Sequence, residues 1–153
     1  MKIVAVTGCM GLIGSHVTSE LLQRGYLVLG IDKLTYAANM EAVQTFKDLP
    51  GFTFLQKDIC DLETIPDCDY IINLAAESHV GNSIIDNTDF INTNISGVQN
   101  LLKIIQNKPS NVCERPILLH FSTDEVYGDL ESGSFTEDSS LNPSNPYSAT
   151  KPS

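Results

Sequence analysis

The sequence predicts an α/β fold built on a doubly wound parallel sheet. Apolar runs of strand length recur along the chain, and they do not alternate with polar residues, which is typical of strands covered on both faces. Segments with helical periodicity lie between these runs. Strands and helices that alternate in this way favour right-handed crossovers and therefore a parallel sheet.

Five strands are predicted from runs rich in Val, Ile, Leu and Phe. They span residues 2–7, 26–32, 52–56, 70–75 and 116–122. After the first run, Ile13, Val17 and Leu21 recur at every fourth position, so we expect them to form one stripe of a helix. Gly25 is predicted to end that helix in a left-handed conformation.

Two further helices are predicted. Apolar residues at helical spacing indicate one helix from about 83 to 106, including Ile84, Ile91 and Ile95 and continuing through Val98. The segment that starts at Gly128 is polar and rich in Ser and Pro, which indicates a loop leading into a helix near residue 147.

Composition limits the class of protein. The chain has 153 residues, 42% of them hydrophobic, with a mean hydropathy of -0.02, which indicates one soluble globular domain. Nine Lys and Arg against 19 Asp and Glu leave a formal charge of -10, which argues against nucleic acid or an anionic membrane as a partner. The N-terminal apolar run is too short for a secretory signal, and no segment approaches about 18 apolar residues, so we expect a cytoplasmic protein.

The four cysteines predict neither a metal site nor a disulfide framework. Cys9, Cys60, Cys68 and Cys113 form no CxxC pair, and none has a nearby histidine at zinc spacing. Buried free thiols are the expected state.

A glycine motif follows the first strand and opens the first helix. Gly8, Gly11 and Gly14 have GxxGxxG spacing, which favours a tight turn, close approach to a pyrophosphate and helix–sheet packing, as in a Rossmann-type domain. Asp32 ends the second strand, where its carboxylate could accept hydrogen bonds from a ribose diol and repel a 2′-phosphate, favouring NAD over NADP. The neighbouring Lys33 could offset part of that repulsion. A plain glycine-rich turn with a solvated Asp is the alternative.

Further candidates stand at the ends of the third and fourth strands, where parallel sheets bind ligands. Asp58 and Ile59 follow the third strand, and Asp58 could accept a hydrogen bond from an adenine amino group or cap the next turn. Ala75 and Ala76, after the fourth strand, could let a cofactor lie against the backbone or serve as packing residues.

Tyr147 and Lys151 form a YxxxK motif that is predicted to lie on one helical face. A phenol has a pKa near 10, so a tyrosine that acts as a base at pH 7 needs roughly 3 units of help, about 4 kcal/mol. A nearby ammonium supplies help of that sign. The motif by itself is common.

The motifs together resemble the extended short-chain dehydrogenases/reductases, and more specifically the nucleotide-sugar 4,6-dehydratases, above all the dTDP-glucose 4,6-dehydratases. The resemblance runs from the first residue to the last and rests on IDKLTYAANM, LAAESHV, FINTNISGVQNLL, FSTDEVYGDL and NPYSATKPS. It implies a lyase of deoxysugar biosynthesis that regenerates its NAD while converting an NDP-hexose to the 4-keto-6-deoxy sugar.

The resemblance also implies roles for five residues. Tyr147, poised by Lys151, would take the proton of the sugar 4-hydroxyl as C4 is oxidised, with Thr123 hydrogen-bonded to that oxygen. Glu125 would then remove the C5 proton, and protonated Asp124 would protonate the departing 6-hydroxyl. Like-charge proximity pushes two such titrations apart. Alternatively, the two acids complement a helix dipole.

Cofactor contacts follow from the same resemblance: the pyrophosphate on residues 12–13, the adenosine ribose on 32–35, and the nicotinamide half on 74–78 and Thr93. Ser78 and Thr123 would contact the sugar. The complete predicted cofactor set is Gly8, Gly11, Leu12, Ile13, Gly14, Asp32, Lys33, Leu34, Thr35, Asp58, Ile59, Leu74, Ala75, Ala76, Glu77, Ser78, Thr93, Tyr147 and Lys151.

Length and one local departure keep alternatives open. Members of the resembled family are about twice as long, which implies that residues 1–153 are the NAD-binding part of a longer, homodimeric enzyme whose C-terminal substrate domain is missing. The fragment would then be an inactive NAD-binding module.

The dTDP-glucose enzymes usually continue AAESHV with Asp-Arg-Ser, whereas this chain has Gly81, Asn82 and Ser83. UDP-glucose or UDP-N-acetylglucosamine are therefore alternative substrates, and a sugar-nucleotide epimerase is an alternative activity.

Overall fold

Five parallel strands form one sheet in the computed structural model, which describes residues 1–108 and 115–152. The strand order is β3-β2-β1-β4-β5. The strands are β1 (Ile3–Thr7), β2 (Leu27–Asp32), β3 (Phe52–Gln56), β4 (Tyr70–Asn73) and β5 (Ile117–His120). The predicted doubly wound α/β fold is thus confirmed, and β4 and β5 each end two residues before the predicted positions.

Six α-helices lie among the described residues. They are α1 (Leu12–Gln23), α2 (Met40–Phe46), α3 (Val80–Ile85), α4 (Thr88–Phe90), α5 (Val98–Asn107) and α6 (Pro146–Thr150). A π-helical stretch, Ile91–Gly97, joins α4 to α5, and 3₁₀ turns cover Ile59–Asp61 and Asp124–Tyr127.

The prediction of one continuous helix from about 83 to 106 is wrong. The helical region begins at Val80 and is interrupted at Asp86, whose backbone is extended at φ -147° and ψ 119°. The Asp86 carboxylate accepts a hydrogen bond from the Thr88 N–H at 2.9 Å. Such a local side-chain acceptor offers the backbone an alternative to the helical bond, which explains the break.

The stripe predicted for α1 fails at Ile13, whereas Leu21 packs against the core. Ile13 is 57% exposed, whereas the buried residues of α1 are Gly14, Ser15 and Thr18. The helix passes so close to the preceding turn that a Cβ on Gly14 would lie 1.9 Å from the Gly8 oxygen. Because of this approach, only small side chains fit on the face that meets the turn.

The core divides into two clusters. One contains Ala5, Leu29 and Ile71, and the other contains Val4 and Val28. Adjacent positions of one strand fall in different clusters, so both faces of the central strands are covered, as predicted. The edge strand β5 departs from this expectation, because Ile117 and Leu119 are 66% and 54% exposed.

The strand order places a crevice at the carboxyl ends of β1 and β4. The chain proceeds from β1 to β2 and β3 on one side, and then returns to form β4 and β5 on the other. Parallel sheets bind ligands outside the strand ends at such a reversal.

Cys9 and Cys68 are buried free thiols, as predicted, and Cys60 is a half-buried one, while Cys113 lies outside the described residues. Within residues 1–108 and 115–152 there is no cluster of His, Cys, Asp and Glu suited to a metal ion. Nor does any helix of those ranges have the length and apolarity needed to cross a membrane.

Candidate cofactor cleft and active site

The glycine turn after β1 packs directly against the segment that follows β4. Gly8 has φ +67°, and its N–H donates to the Ile31 carbonyl at 2.8 Å. A Cβ at Gly8 would lie 2.6 Å from the backbone nitrogen of Ala75. No other residue fits here, because the position combines a left-handed conformation with a contact that leaves no room for a side chain.

The N-terminus of α1 opens onto the same turn. Gly11 is the N-cap, and no side chain among the described residues caps the helix. The first N–H groups of a helix have no partner within it, so these groups are available to an anion. Leu12 and Ile13, at the helix start, are 75% and 57% exposed.

Asp32 is held at the end of β2 by two backbone hydrogen bonds. Its Oδ2 accepts from the Met10 N–H at 2.9 Å, and its Oδ1 accepts from the Leu34 N–H at 2.8 Å. Each carboxylate oxygen retains accepting capacity for a further donor. Leu34 has φ +60°, a left-handed conformation that is unusual for a branched residue and that tightens the turn after Asp32.

Lys33 reaches across the crevice and joins three other elements. Its Nζ lies 3.2 Å from Asp58 Oδ2 and 3.9 Å from Glu77 Oε1, and it donates to Thr93 Oγ1 at 3.3 Å. Burial acts to lower the pKa of Lys33, but the hydrogen bond and charge of Asp58, with Glu77, raise it above its ordinary value. The ammonium is therefore engaged by Asp58 and Glu77.

The pKa of Asp58 is shifted in the direction that complements Lys33. Burial raises the pKa of this carboxyl, but the Cys60 N–H and the Lys33 ammonium together outweigh burial and hold it below its ordinary value. The Cys60 N–H donates to Asp58 Oδ1 at 3.0 Å, so Asp58 caps the 3₁₀ turn Ile59–Asp61, which is the alternative role predicted for it. The other oxygen, Oδ2, is the one near Lys33.

These residues line one cleft at the carboxyl edge of the sheet. Twelve members of the predicted cofactor set line it: Gly8, Gly11, Asp32, Lys33, Thr35, Asp58, Ile59, Leu74, Ala75, Ala76, Glu77 and Thr93. The predicted residues Leu12, Ile13, Gly14, Leu34, Ser78, Tyr147 and Lys151 lie outside this lining. The lining also includes residues that the sequence reasoning missed: Ile31, Ala37, Ala38 and Lys57. The small pair Ala37 and Ala38, soon after the second strand, is the signal that could have indicated two of them.

The Thr-Asp-Glu segment follows β5, the strand next to β4. Thr123 Oγ1 accepts from the Glu125 N–H at 3.3 Å and donates to Asp124 Oδ1 at 3.3 Å. Glu125 is half-buried and its Oε2 accepts from Asn145 Nδ2 at 3.0 Å, whereas Asp124 is exposed. The two neighbouring carboxyls therefore have different surroundings. Both also lie in the first turn of a short 3₁₀ helix, the position that the dipole alternative requires.

Tyr147 and Lys151 lie at the same edge, one within α6 and the other at its C-cap. Tyr147 lies in α6, which ends at Thr150, so Lys151 stands at the C-cap. Lys151 retains right-handed helical backbone angles, φ -90° and ψ -20°. Lys151 is only 5% exposed and donates from Nζ to the Phe121 carbonyl at 2.6 Å. Burial lowers the pKa of Lys151.

Two asparagines that the sequence reasoning missed join these segments. Asn145 caps α6, as well as contacting Glu125. Asn94 is 2% exposed, accepts from the Glu77 N–H at 2.9 Å and donates to the Glu77 carbonyl at 3.0 Å and to Thr150 Oγ1 at 2.9 Å. A polar residue within the apolar helical segment was the available signal for Asn94.

Comparison with known proteins gives a consistent set of relatives. The family described as GDP-mannose 4,6 dehydratase matches residues 5–153. A probable dTDP-glucose 4,6-dehydratase of Sinorhizobium fredii is 42% identical over 97% of this chain and 45% of its own length. The dTDP-glucose 4,6-dehydratase of Haemophilus influenzae is 42% identical over 99% of this chain and 48% of its own length.

Solved structures show the same relationship. DesIV, a dTDP-glucose 4,6-dehydratase of Streptomyces venezuelae with NAD and TYD bound, superposes with a TM-score of 0.85 at 38% identity, covering 98% of this chain and 48% of that one. A UDP-glucose-4-epimerase of Stenotrophomonas maltophila with bound NAD gives a TM-score of 0.83 at 31% identity, covering 99% and 46%. The chain spans about half the length of the curated relatives that it matches.

Proposed function

The chain belongs to the GDP-mannose 4,6 dehydratase family, and on that premise we propose that it is the NAD-binding part of a nucleotide-sugar 4,6-dehydratase. The enzyme would convert dTDP-glucose, or a UDP sugar, to the 4-keto-6-deoxy product. One observation carries the proposal: the glycine-lined cleft and the Thr123–Glu125 segment lie at the carboxyl edge of the same sheet, on neighbouring strands.

The cleft fits a dinucleotide. Gly8 leaves no side chain between the turn and Ala75, and the uncapped start of α1 offers N–H groups to a pyrophosphate. Asp32 presents its carboxylate where a ribose diol would donate, and a 2′-phosphate there would meet a negative charge. Lys33 is paired with Asp58 and Glu77, which favours NAD over NADP.

NAD, when bound, would supply a reversible two-electron oxidation of the sugar. Tyr147 would remove the proton of the 4-hydroxyl, and Thr123 would hydrogen-bond that oxygen. Lys151, buried at the C-cap of α6, would assist that proton transfer. The oxidised C4 makes the C5 proton acidic, which prepares the second step.

The two adjacent carboxyls would divide the elimination between them. Glu125, held by Asn145, would remove the C5 proton as a carboxylate. Asp124 would be protonated and would donate to the 6-hydroxyl, which leaves as water. Two neighbouring acids suit this step because one must act as a base and the other as an acid.

The remainder of the assignment also follows from the family. Residues 1–153 would form the NAD-binding domain of a cytoplasmic enzyme, and most of the sugar pocket would come from further residues.

A second copy of the chain would cover the exposed apolar side chains of the segment from α3 to α5. These are Ile84, Ile85, Ile91, Ile95 and Leu102. Analytical ultracentrifugation of the full-length protein would test the dimer.

Calorimetry with NAD and a 4-keto product assay test the function in the full-length protein. Turnover of dTDP-glucose, UDP-glucose or UDP-N-acetylglucosamine is expected after NAD binds. Glu125→Gln should block exchange of the C5 proton while reduced nicotinamide accumulates during the reaction. Glu131→Gln, an exposed acid on the following loop, is the matched control and should behave as wild type. Absence of reduced nicotinamide in Glu125→Gln would refute the division of roles.

A sugar-nucleotide 4-epimerase is the second candidate, favoured by the 31% identity to the UDP-glucose-4-epimerase. An epimerase eliminates no water, so this activity gives the Asp124–Glu125 pair no catalytic role. A 4-epimer without any 4-keto product would support it. NAD binding without turnover by the 153-residue chain would indicate an inactive module.

A further inference from the structure

We propose that Thr7, Asn73 and His120 form a hydrogen-bonded row that positions the catalytic segment relative to the cofactor turn. The catalytic part of this inference rests on the proposed dehydratase function. The three residues are the last residues of β1, β4 and β5. Thr7 stands opposite Asn73, and Asn73 stands opposite His120, so the row crosses three neighbouring strands.

The hydrogen bonds of the row have a defined direction. The Ala75 N–H donates to Thr7 Oγ1 at 3.4 Å, and the Thr7 hydroxyl donates to Asn73 Oδ1. The Asn73 amide then has Nδ2 directed at His120 Nδ1, at 2.9 Å. Because Nδ1 must accept in this arrangement, the neutral ring carries its proton on Nε2.

Burial makes the row sensitive to the loss of any member. Thr7 and Asn73 are 0% and 1% exposed. The Nε2 atom of His120 is enclosed and has no hydrogen-bond partner within the part of the chain that the structure describes. Burial and the nearby Lys151 ammonium lower the pKa of His120 and outweigh the Lys151 backbone, which acts to raise it.

Each end of the row leads into a functional segment. Gly8 follows Thr7, and the cleft-lining Leu74 follows Asn73. Phe121 follows His120, and its carbonyl accepts the buried Lys151 Nζ. Ser122 Oγ donates to the Lys151 carbonyl at 3.0 Å, which ties the C-cap of α6 to the same strand end. The row thus sets the distance between the cofactor turn and the residues after β5, and His120 is a positioning residue.

A pair of His120 variants tests this role in the full-length protein. In His120→Asn, the Oδ1 atom can replace Nδ1 as the acceptor for Asn73, whereas His120→Leu leaves the amide without an acceptor. Misplacement of catalytic groups by about 1 Å can cost roughly 100-fold in rate. We therefore expect kcat to fall at least tenfold in His120→Leu, while KM and the Kd for NAD change less than about twofold.

Rescue separates positioning from a general loss of structure. His120→Asn should recover most of kcat, with the concentration of folded sites counted by NAD titration. Equal losses in both variants, or wild-type kcat in His120→Leu, would overturn the proposal. His16→Leu, at an exposed histidine of α1, is the control for replacement of a ring at the surface.

A second measurement does not depend on turnover. The 153-residue sequence contains three histidines, and His16 and His79 are exposed. In ¹⁵N NMR spectra of the NAD-bound protein, His120 should show the Nε2-protonated neutral form. Thr7→Val should disturb that resonance. An Nδ1-protonated ring would refute the row even if the enzyme proved to be a dehydratase.

Discussion

Gly14→Ala should damage both folding and cofactor binding, because α1 has no room for a methyl group at this point. The added Cβ would lie 1.9 Å from the Gly8 carbonyl oxygen, and real Cβ atoms essentially never come closer than 3.0 Å to such an atom. The helix start and the glycine turn must therefore separate by about 1.1 Å. Overpacking of this kind costs about 1–3 kcal/mol, and the neighbour here is backbone rather than a flexible side chain.

The displacement also moves the groups that we propose hold the pyrophosphate. Loss of one hydrogen bond to a charged group costs about 1.5–3 kcal/mol, so the Kd for NAD should rise roughly 10- to 100-fold. Urea unfolding gives the free energy of unfolding, and calorimetry gives the Kd. Gly81→Ala is the matched control, since nothing lies within 4 Å of its Cβ and its helical position tolerates alanine. Wild-type values for Gly14→Ala in both measurements would refute the reasoning.

Three further outcomes follow from the contacts at the cleft. Lys33→Met should weaken NAD binding and raise the pKa of Asp58, because it removes the cation that favours the ionised carboxyl. The pKa of Asp58 can be measured by ¹³C NMR of the carboxyl carbon. The pKa of Asp58 is lower in the folded state than in the unfolded state, so ionised Asp58 stabilises the fold. This stabilisation is fully present above the ordinary carboxyl pKa of about 4, and it is lost as the pH falls through the lower pKa of the folded state. Urea unfolding at decreasing pH should show this loss in the wild type, and a fall no steeper than that of Lys33→Met would contradict it. Asn94→Leu should lower the free energy of unfolding by about 2–4 kcal/mol, since it removes the buried hydrogen bonds of Asn94 to the Glu77 N–H and carbonyl. An unchanged urea midpoint would count against this prediction.

Much of the fold could be predicted because its signals are local. The strands are short apolar runs, and a run covered on both faces does not need its neighbours to be recognised. Gly8 and Gly14 were identifiable because the turn requires residues without a side chain, and Asp32 because it ends a strand. The segment Thr123–Glu125 stood out since two adjacent acids at the end of an apolar run bury no surface.

The errors came where distant parts of the chain decide the outcome. Periodicity placed Ile13 on the buried stripe of α1, but the close approach of Gly14 to Gly8 turned that helix onto its small residues. There the local pattern was correct about the element and wrong about its orientation.

The sequence by itself determined the element types, the strand ends that carry polar groups and the glycine positions that exclude side chains. Only the tertiary structure decided which of those groups meet. Lys33 pairs with Asp58 and Glu77 because the ends of β2, β3 and β4 converge, and Thr7 contacts Asn73 across 66 residues of chain. The physical reason is that strand order and register set contacts between remote residues, whereas periodicity and spacing report only on each segment and its nearest neighbours.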